Sequence, residues 1–488
     1  MTGFSLRADR APAARPSHSR IATAFIRLGA ATLLLAPLPA LAQALTPAQE
    51  AKVDSIVKDA LTAGKVPSAS IAIVRDGKIV YTKAYGNQGP NVPKTTVNAR
   101  YQIASISKQF TAAAILLLQN EGKLSLDDKL SKYFPDITDA DQITIRELLS
   151  HTSGLQDYWP QDYSFAAMEH AVTPQQIVDR WAKKPLDFKP GTQWQYSNTG
   201  YVVAGMIVEK VSGEKLMPFL REHIFKPLGM NPVNQDTAIG PGFPTGYHRY
   251  ALGPVRPEKP AAPGWLWAAG ELSMTASDLA RWDIARIDRT VLPKQDWQEQ
   301  ETEIKLTDGK PSGYGLGVSL STRDGHKVVS HGGEAVGFLS ENVVIPSQKY
   351  AVVALVNADF GRATSAITQG ITNLLLPAKA SAGADEAKRT NMAKTLYAEL
   401  QQGKPDTAWL TTDAQYYFTP EAVKDYADSL GPLGKPTAFE ELGGPRLRGG
   451  FVNRNYRITY PDQKLLLVTY AEPGADGKFE QFIVMPAG

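Results

Sequence analysis

Ser105-Ile106-Ser107-Lys108 places a hydroxyl and an amine three residues apart. On a helix that spacing brings both to one face within the first turn, as a nucleophile and its base require. A serine hydroxyl is a weak nucleophile until something accepts its proton, and a lysine can accept it once burial and nearby positive potential lower its pKa. A helix N-terminus supplies such potential. The spacing alone carries little weight, because the chain repeats it at Ser55-Ile56-Val57-Lys58 and Ser212-Gly213-Glu214-Lys215. Ser105 differs in heading an apolar stretch, whereas Ser55 lies within an amphipathic helix pattern and Ser212 precedes a glycine turn. Two further groups follow. Tyr196-Ser197-Asn198 comes after the turn signal Lys189-Pro190-Gly191 and presents a phenol with an amide. A deprotonated or strongly hydrogen-bonded Tyr196 would accept the Ser105 proton and pass it to the leaving group, while Asn198 would hold a substrate carbonyl. At His331-Gly332-Gly333 the glycines permit close backbone approach. A substrate would lie along that edge, with the N–H groups of Glu334 and Ser105 paired on an oxyanion. Singly, Tyr196 reads as one packing tyrosine among 19 and His331 as a turn residue.

The elements that must position these groups are legible around them. Thr46-Pro47 followed by Val53, Ile56, Val57 and Leu61 predicts a capped amphipathic helix stopping near Gly64. Ser68 to Val74 and Lys78 to Tyr85 flank Arg75-Asp76-Gly77, a hairpin signal because Asp-Gly supplies the positive backbone angles of a tight turn. Ser105 to Gly122, apolar on nearly every face, predicts a buried helix. The stretch from about 125 to 290 reads as mostly helical and loop-rich. Strands are expected at His326–Ser330, Val336–Ile345 and Tyr350–Asn357, with Pro346-Ser347-Gln348 turning between the last two, and a helix at Ala363–Leu376. Strands at both ends with helices between imply one antiparallel sheet closed by the two ends of the segment and covered by helices. Pro377 to Ala384, rich in Ala, Ser and Gly, reads as a linker. Beyond it, helices around Met392, Leu396 and Leu400 and at Pro420–Leu430, then strands at Phe451–Tyr460, Lys464–Ala471 and Lys478–Met485, predict a small second domain that resembles the cone-shaped NTF2-like type.

Taken in order, the three chemical elements resemble the serine β-lactamase and penicillin-binding protein superfamily, in its class C-like branch of D-alanyl-D-alanine carboxypeptidases, D-aminopeptidases and esterases. Ser-x-x-Lys with two partner motifs is that superfamily's signature. Leu148-Leu149-Ser150-His151-Thr152-Ser153-Gly154, Ile224-Phe225-Lys226-Pro227-Leu228-Gly229-Met230 and Ala269-Gly270-Glu271-Leu272-Ser273-Met274-Thr275-Ala276-Ser277-Asp278-Leu279 are similar to the branch as well. The resemblance spans roughly 46 to 376. It implies an α/β (α+β) fold, with a β-lactamase-like antiparallel sheet flanked by helices, an all-helical region and a small C-terminal α+β domain. Residue by residue it implies Ser105 as nucleophile, Lys108 and Tyr196 as the proton-transfer pair, Asn198 as a substrate contact, and His331 where these enzymes usually carry Lys. His151 is read as structural. The usual Lys-Thr-Gly offers a fixed cation and a hydroxyl to a substrate carboxylate, whereas His331-Gly332-Gly333 offers an imidazole titrating near neutrality and no hydroxyl. The expectation is an esterase or a D-amino-acid peptidase or carboxypeptidase working through a Ser105 acyl-enzyme. A genuine β-lactamase, or a penicillin-binding or sensor protein without turnover, is the alternative. Tyr158, Trp159, Trp265 and Trp267 are candidates for an apolar acyl pocket or, equally, for the core.

Composition fits this reading. With 43% hydrophobic and 21% charged residues the chain is of globular type. The net charge is +3, and five arginines (Arg7, Arg10, Arg15, Arg20 and Arg27) stand against Asp9 in the first 42 residues. The remainder is thus close to neutral and has no electrostatic footprint for nucleic acid. The absence of cysteine removes disulfides, thiolate nucleophiles and Cys-ligated metals. Seven histidines without an HExxH pattern argue against a zinc enzyme, and the absence of Gly-x-Ser-x-Gly argues against the α/β-hydrolase elbow. No metal or organic cofactor is expected; the expected partner is a small-molecule ester, amide or D-amino-acid peptide. Arg20 and Arg27 precede the apolar run Leu28 to Ala36, and Ala40-Leu41-Ala42 offers a signal-peptidase site. The run is too short to span a bilayer. The expected organisation is a signal peptide at 1–42, a hydrolase domain at 43–377, a linker at 378–385 and the small domain at 386–488, in a periplasmic or secreted bacterial protein with no stable membrane insertion after signal removal.

Overall fold

The computed structural model describes residues 44–159, 165–376, 384–448 and 450–487. The expected signal peptide, and all of the expected linker up to residue 383, lie outside the described residues. Helix α1 (Pro47–Gly64) begins with a capping box, the Thr46 hydroxyl accepting from the Gln49 N–H while the Gln49 side chain accepts from the Thr46 N–H. Strands β1 (Ser68–Arg75) and β2 (Lys78–Gly86) form the expected hairpin. Its turn residues Asp76 (φ 50°) and Gly77 (φ 72°) both take the left-handed conformation.

Four more strands complete the sheet: β3 (Ser319–Arg323), β4 (His326–Ala335), β5 (Phe338–Ile345) and β6 (Tyr350–Val356), in the order β2-β1-β6-β5-β4-β3. Every pairing is antiparallel, and β1 from one end of the segment lies against β6 from the other. Both faces of the central strands are covered, so β6 alternates between two cores. Ala351, Val353 and Leu355 face one core with α2 (Lys108–Asn120), α3 (Asn198–Ser212) and α4 (Ala276–Asp288), while Val352, Ala354 and Val356 face the other with α1 and α5 (Ala363–Leu375). Burial of α2 is nearly complete, with ten of its thirteen residues inside.

Three features differ from the sequence expectation. The strand beginning at His326 does not stop at Ser330 but runs through His331-Gly332-Gly333 to Ala335, in continuous register with β5. The turn falls one step later, where Gly337 has φ 84°. The strand β3 was not anticipated, although Asp324-Gly325 repeats the hairpin signal with φ 50° and 77°. Lastly, helix α6 (Ala384–Gln401) starts within the stretch expected to be linker.

Residues from α6 onward have an apolar core of their own. Met392, Leu396, Tyr397 and Leu400 of α6 pack against Tyr456, Ile458, Leu467 and Phe482. With α7 (Pro420–Leu430) they cover a five-stranded antiparallel sheet in which β8 (Phe451–Thr459), β9 (Lys464–Ala471) and β10 (Phe479–Pro486) are neighbours in chain order, while β7 (Ala438–Glu441) and the short strand Arg446–Arg448 both pair with β8.

Candidate active site

Ser105 sits in a 3-10 turn, Ala104–Ser107, that leads directly into α2, rather than in the α-helix itself. Side chains three apart eclipse in a 3-10 turn, and the Lys108 Nζ lies 3.0 Å from the Ser105 Oγ. Ala104 just before the nucleophile has φ 46°, a conformation that costs a non-glycine residue energy and marks a backbone held by its surroundings.

Lys108 has no exposed surface. Besides Ser105, its amine contacts the Asn198 Oδ1 at 2.8 Å and the Ala269 carbonyl at 2.7 Å. Burial brings its pKa down to about 7, against the opposing pull of the Asp157 carboxylate. Burial raises the Tyr196 pKa against an opposing influence of the nearby Ser105 hydroxyl, so Tyr196 is a phenol rather than a phenolate. Its ring lies 4.8 Å from the Lys108 Nζ, centroid to nitrogen. Asn198, the first residue of α3, turns its carbonyl oxygen to Lys108 and its amide nitrogen to the Asp157 Oδ2 at 3.2 Å.

The third element stands beside this group. The β3 ladder ends at Ser319 against Ser330, and beyond that point the Ser105 turn approaches β4. Gly333 is required there. A β-carbon at 333 would stand 2.1 Å from the Ile103 carbonyl oxygen and 2.2 Å from the Ser340 Oγ, whereas at Gly332 the nearest atom would be 3.9 Å away. Ser105, Tyr196, Asn198, His331, Gly332, Gly333, Glu334 and Trp159 all line one cavity of about 850 Å³.

Two expectations about this site are corrected. His331 does not titrate near neutrality: buried, with Lys108 close by, its pKa is lowered to about 4. Its Nδ1 faces the Gly332 carbonyl at 2.5 Å and its Nε2 the Tyr314 hydroxyl at 2.6 Å. A carbonyl can only accept, so the proton is on Nδ1 and Tyr314 donates to Nε2. Of the four aromatics expected at a pocket, Trp159 alone lines the cavity. Tyr158 and Trp265 are core residues, with the Tyr158 hydroxyl donating to the Trp265 carbonyl and the Trp265 indole to the His170 carbonyl. Trp267 packs its ring against Gly205 of α3.

His331 is expected to stay neutral in the folded chain until pH falls to about 4, while an unfolded histidine takes up its proton near ~6.5. Between those values the unfolded state binds more protons. The stability contributed by neutral His331 is therefore complete above the upper value and is lost as pH falls through the lower one. Imidazole nitrogen shifts followed by NMR check this, and a His331 midpoint near neutrality would contradict it.

Sequence reasoning missed Asp157, Tyr314 and Gln109. Asp157 lines the cavity and caps Asn198, its Oδ1 accepting the Asn198 backbone N–H at 3.0 Å. Gln109 ties α2 to the sheet, its Nε2 donating to the Asn342 Oδ1 at 3.0 Å while its Oε1 accepts from Trp282 and Arg286. Asn342, on β5, is the register partner of His331, so this buried network fixes α2 against the strand paired with the one that carries the third motif. His151 accepts the Ser197 N–H on Nδ1 at 3.2 Å, and its ring stacks 4.2 Å from that of Tyr196, as a structural residue would. Among the described residues no group of His, Asp or Glu has the geometry to hold a metal ion.

The chain's likenesses agree with this geometry. Protein flp of Staphylococcus aureus (strain MW2) is 29% identical over 326 residues, 64% of this chain and 64% of flp, so the chain spans less than two thirds of that relative. A D-stereospecific amidohydrolase from Streptomyces sp. is 31% identical, with 66% of this chain and 97% of that chain covered and a TM-score of 0.57. The octameric penicillin-binding protein homologue from Pyrococcus abyssi shares the fold over 89% of this chain and 99% of its own, at 24% identity and a TM-score of 0.59. A model of the family described as Beta-lactamase matches residues 53–371. Since that match covers well over half of the chain and takes in every residue lining the cavity, the chain belongs to the Beta-lactamase family, within the serine β-lactamase and penicillin-binding protein superfamily.

Proposed function

We propose that the protein is an exported serine hydrolase that transfers an acyl group to water through Ser105, acting on esters or on D-amino-acid amides and peptides. The observation that carries this reading is the Lys108 amine, 3.0 Å from the Ser105 hydroxyl and already held by two acceptors. A neutral amine donates two hydrogens, here to the Asn198 oxygen and the Ala269 carbonyl. Its lone pair is then left for the Ser105 proton.

In acylation the Ser105 Oγ bonds to the substrate carbonyl carbon as its proton moves to the Lys108 Nζ. The carbonyl π electrons become the oxyanion, which the N–H groups of Ser105 and Glu334 would receive, a reading supported by both residues lining the cavity. Collapse restores the carbonyl and expels the leaving group. Tyr196 protonates that group and recovers a proton from Lys108. Water then repeats the sequence on the acyl-enzyme and frees Ser105.

Neutral His331 supports esters and amides over substrates that present a carboxylate at this point, as β-lactams and carboxypeptidase substrates do, because an uncharged imidazole already bonded to Tyr314 gives no ion pair. The likeness to a D-stereospecific amidohydrolase points the same way. Export rests on the N-terminal arginines, apolar run and Ala40-Leu41-Ala42. For the C-terminal residues an NTF2-like reading is supported by helices preceding an antiparallel sheet whose last three strands are adjacent in chain order.

A fluorophosphonate incubated with the full chain is expected to add one phosphonyl group, mapping by mass spectrometry to Ser105, and p-nitrophenyl acetate to be turned over. Labelling elsewhere, or no labelling, overturns the reading. Labelling without turnover of p-nitrophenyl acetate, D-amino-acid amides or nitrocefin makes the protein a binder instead.

A further inference from the structure

Behind the cavity, β5 grips the nucleophile's turn at two points. Ser340 and Asn342 stand two residues apart on one face of the strand, and both side chains reach the segment that carries Ser105. The Ser340 hydroxyl donates to the Ile103 carbonyl at 2.7 Å, before the nucleophile, and the Asn342 Oδ1 accepts the Gln109 Nε2 at 3.0 Å, after the base. Opposite the same two residues in the pairing of β5 with β4 lie Gly333 and His331. One strand therefore sets both ends of the Ser105 turn relative to β4, which carries the second expected oxyanion donor.

The second grip depends on which way two amides point. Trp282 and Arg286 of α4 offer only N–H groups, and both donate to the Gln109 Oε1, at 2.9 and 3.0 Å. Gln109 is left with its amine toward β5, so Asn342 must answer with its oxygen. The Asn342 amine then needs an acceptor. Asp283, also on α4, supplies one through Oδ1 at 2.7 Å. With obligate donors at one end of this line and an acid at the other, every bond in it has a single direction. Burial pushes the Asp283 pKa up to about 7, against the Asn342 bond and the Arg286 guanidinium, and Oδ1 accepts in either protonation state. Its Oδ2 has no hydrogen bond. Gln109, Asp283 and Arg286 have no exposed surface and Asn342 almost none, so bulk water does not stand in for a missing partner.

We propose that Asp283 is a positioning residue for acyl transfer: by fixing the direction of the Asn342 and Gln109 amides it holds the Lys108 end of the Ser105 turn against β5, and so sets the spacing between the nucleophile and β4. The inference rests on the Ser105 acyl-enzyme reading. Neither Asp283 nor the two amides it orients lines the cavity. Asp283 thus acts on the chemical step rather than on substrate binding. Without its carboxyl group the Asn342 amine is an unpaired donor in a dry interior, which is costly. Turning that amide over to find a partner would set two N–H groups against each other at Gln109.

The test measures kcat and KM for p-nitrophenyl acetate, the rate of fluorophosphonate labelling and the melting temperature, on the full chain and on Asp283→Ala, Asp283→Ser and Asp283→Asn. Asp283→Ala is expected to lose on the order of 10²-fold in kcat, the effect of a ~1 Å displacement at a catalytic group, with KM nearly unchanged. Asp283→Asn keeps an acceptor for the Asn342 amine and gives up only Oδ2, so it recovers most of that loss. A purely structural role would instead scale activity with the folded fraction. Rates are therefore taken below each melting transition. Where Asp283→Ala does not fold, Asp283→Ser, whose hydroxyl stops one bond short of Oδ1, carries the same expectation. A folded Asp283→Ala with the full chain's kcat overturns this inference alone, as does a change confined to KM. An equal loss in Asp283→Asn also overturns it, and so does failure of both Asp283→Ala and Asp283→Ser to fold, which would make Asp283 structural only. If the full chain neither labels at Ser105 nor turns over the ester, the acyl-enzyme reading falls and this inference falls with it.

Discussion

Ser105→Ala and Lys108→Met are each expected to lose on the order of 10⁴-fold in kcat/KM, and the double variant to be no slower than either single one, because groups that act as a unit are not additive. The unit is visible in the geometry. Ser105 is activated through one 3.0 Å contact, and Lys108 has no other substrate-facing role because its remaining contacts are the Asn198 oxygen and the Ala269 carbonyl. Once the base is gone the hydroxyl is an ordinary alcohol, and without the hydroxyl the base has nothing to deprotonate. Lys108→Met also leaves two buried acceptors without a donor, so its melting temperature is to be measured beside its rate. A double variant slower than the product of modest single effects would show two independent contributions and remove the assignment of Lys108 as base.

The same pair sets a pH dependence. Lys108 is a base only when neutral, and burial places that transition at about 7. For a substrate without ionisable groups, such as p-nitrophenyl acetate, kcat/KM is expected to fall about tenfold per pH unit below that value and to level off above it. Around the amine stand Asp157, which opposes its deprotonation, and His151 and His331, which remain uncharged at that pH. Tyr196, still a phenol across this range, adds no second limb near neutrality.

Much of this site could be read before any coordinates. Local rules suffice for the hairpin at Asp76-Gly77 and the cap at Thr46, because the residues that decide them are adjacent. The Ser-x-x-Lys spacing needed context, and the two bystanders show why. Ser55 bonds Asp59 within a helix, and the Ser212 hydroxyl returns to the Val208 carbonyl while Lys215 pairs with Glu209. Neither lysine is buried. Charge states were the least legible property, since the type of His331 suggests titration near neutrality and only its burial beside Lys108 removes it. Asp157 gave no signal because its meaning depends on Asn198, 41 positions away. Tyr158, Trp265 and Trp267 could not be assigned for the converse reason, as large aromatics suit a core and a pocket equally well and only packing decides.

The two glycines after His331 look equivalent in sequence and are expected to behave oppositely in the folded chain. A methyl at 333 would collide with the Ile103 carbonyl oxygen at 2.1 Å and with the Ser340 Oγ at 2.2 Å, which are themselves joined by a 2.7 Å hydrogen bond. Ile103 holds the start of the nucleophile's turn, its N–H bonded to the Leu272 carbonyl at 2.9 Å and its carbonyl receiving the Ile106 N–H at 3.2 Å. Relief must therefore push the Ser105 turn away from β4 and widen the gap between the two expected oxyanion donors. Overpacking of this kind costs about 1–3 kcal/mol, and a displacement of ~1 Å at a catalytic group costs on the order of 10²-fold in rate. Gly333→Ala should show both losses. Gly332 has no positive φ and its β-carbon would meet only the Ser340 carbonyl oxygen, at 3.9 Å, so Gly332→Ala should leave stability unchanged or raise it by a few tenths of a kcal/mol, about as much as loss of unfolded-chain freedom provides. Thermal melts of both variants, with p-nitrophenyl acetate rates for Gly333→Ala, decide the matter. Equal destabilisation by the two substitutions would mean that β4 does not pack against the Ser105 turn through Gly333.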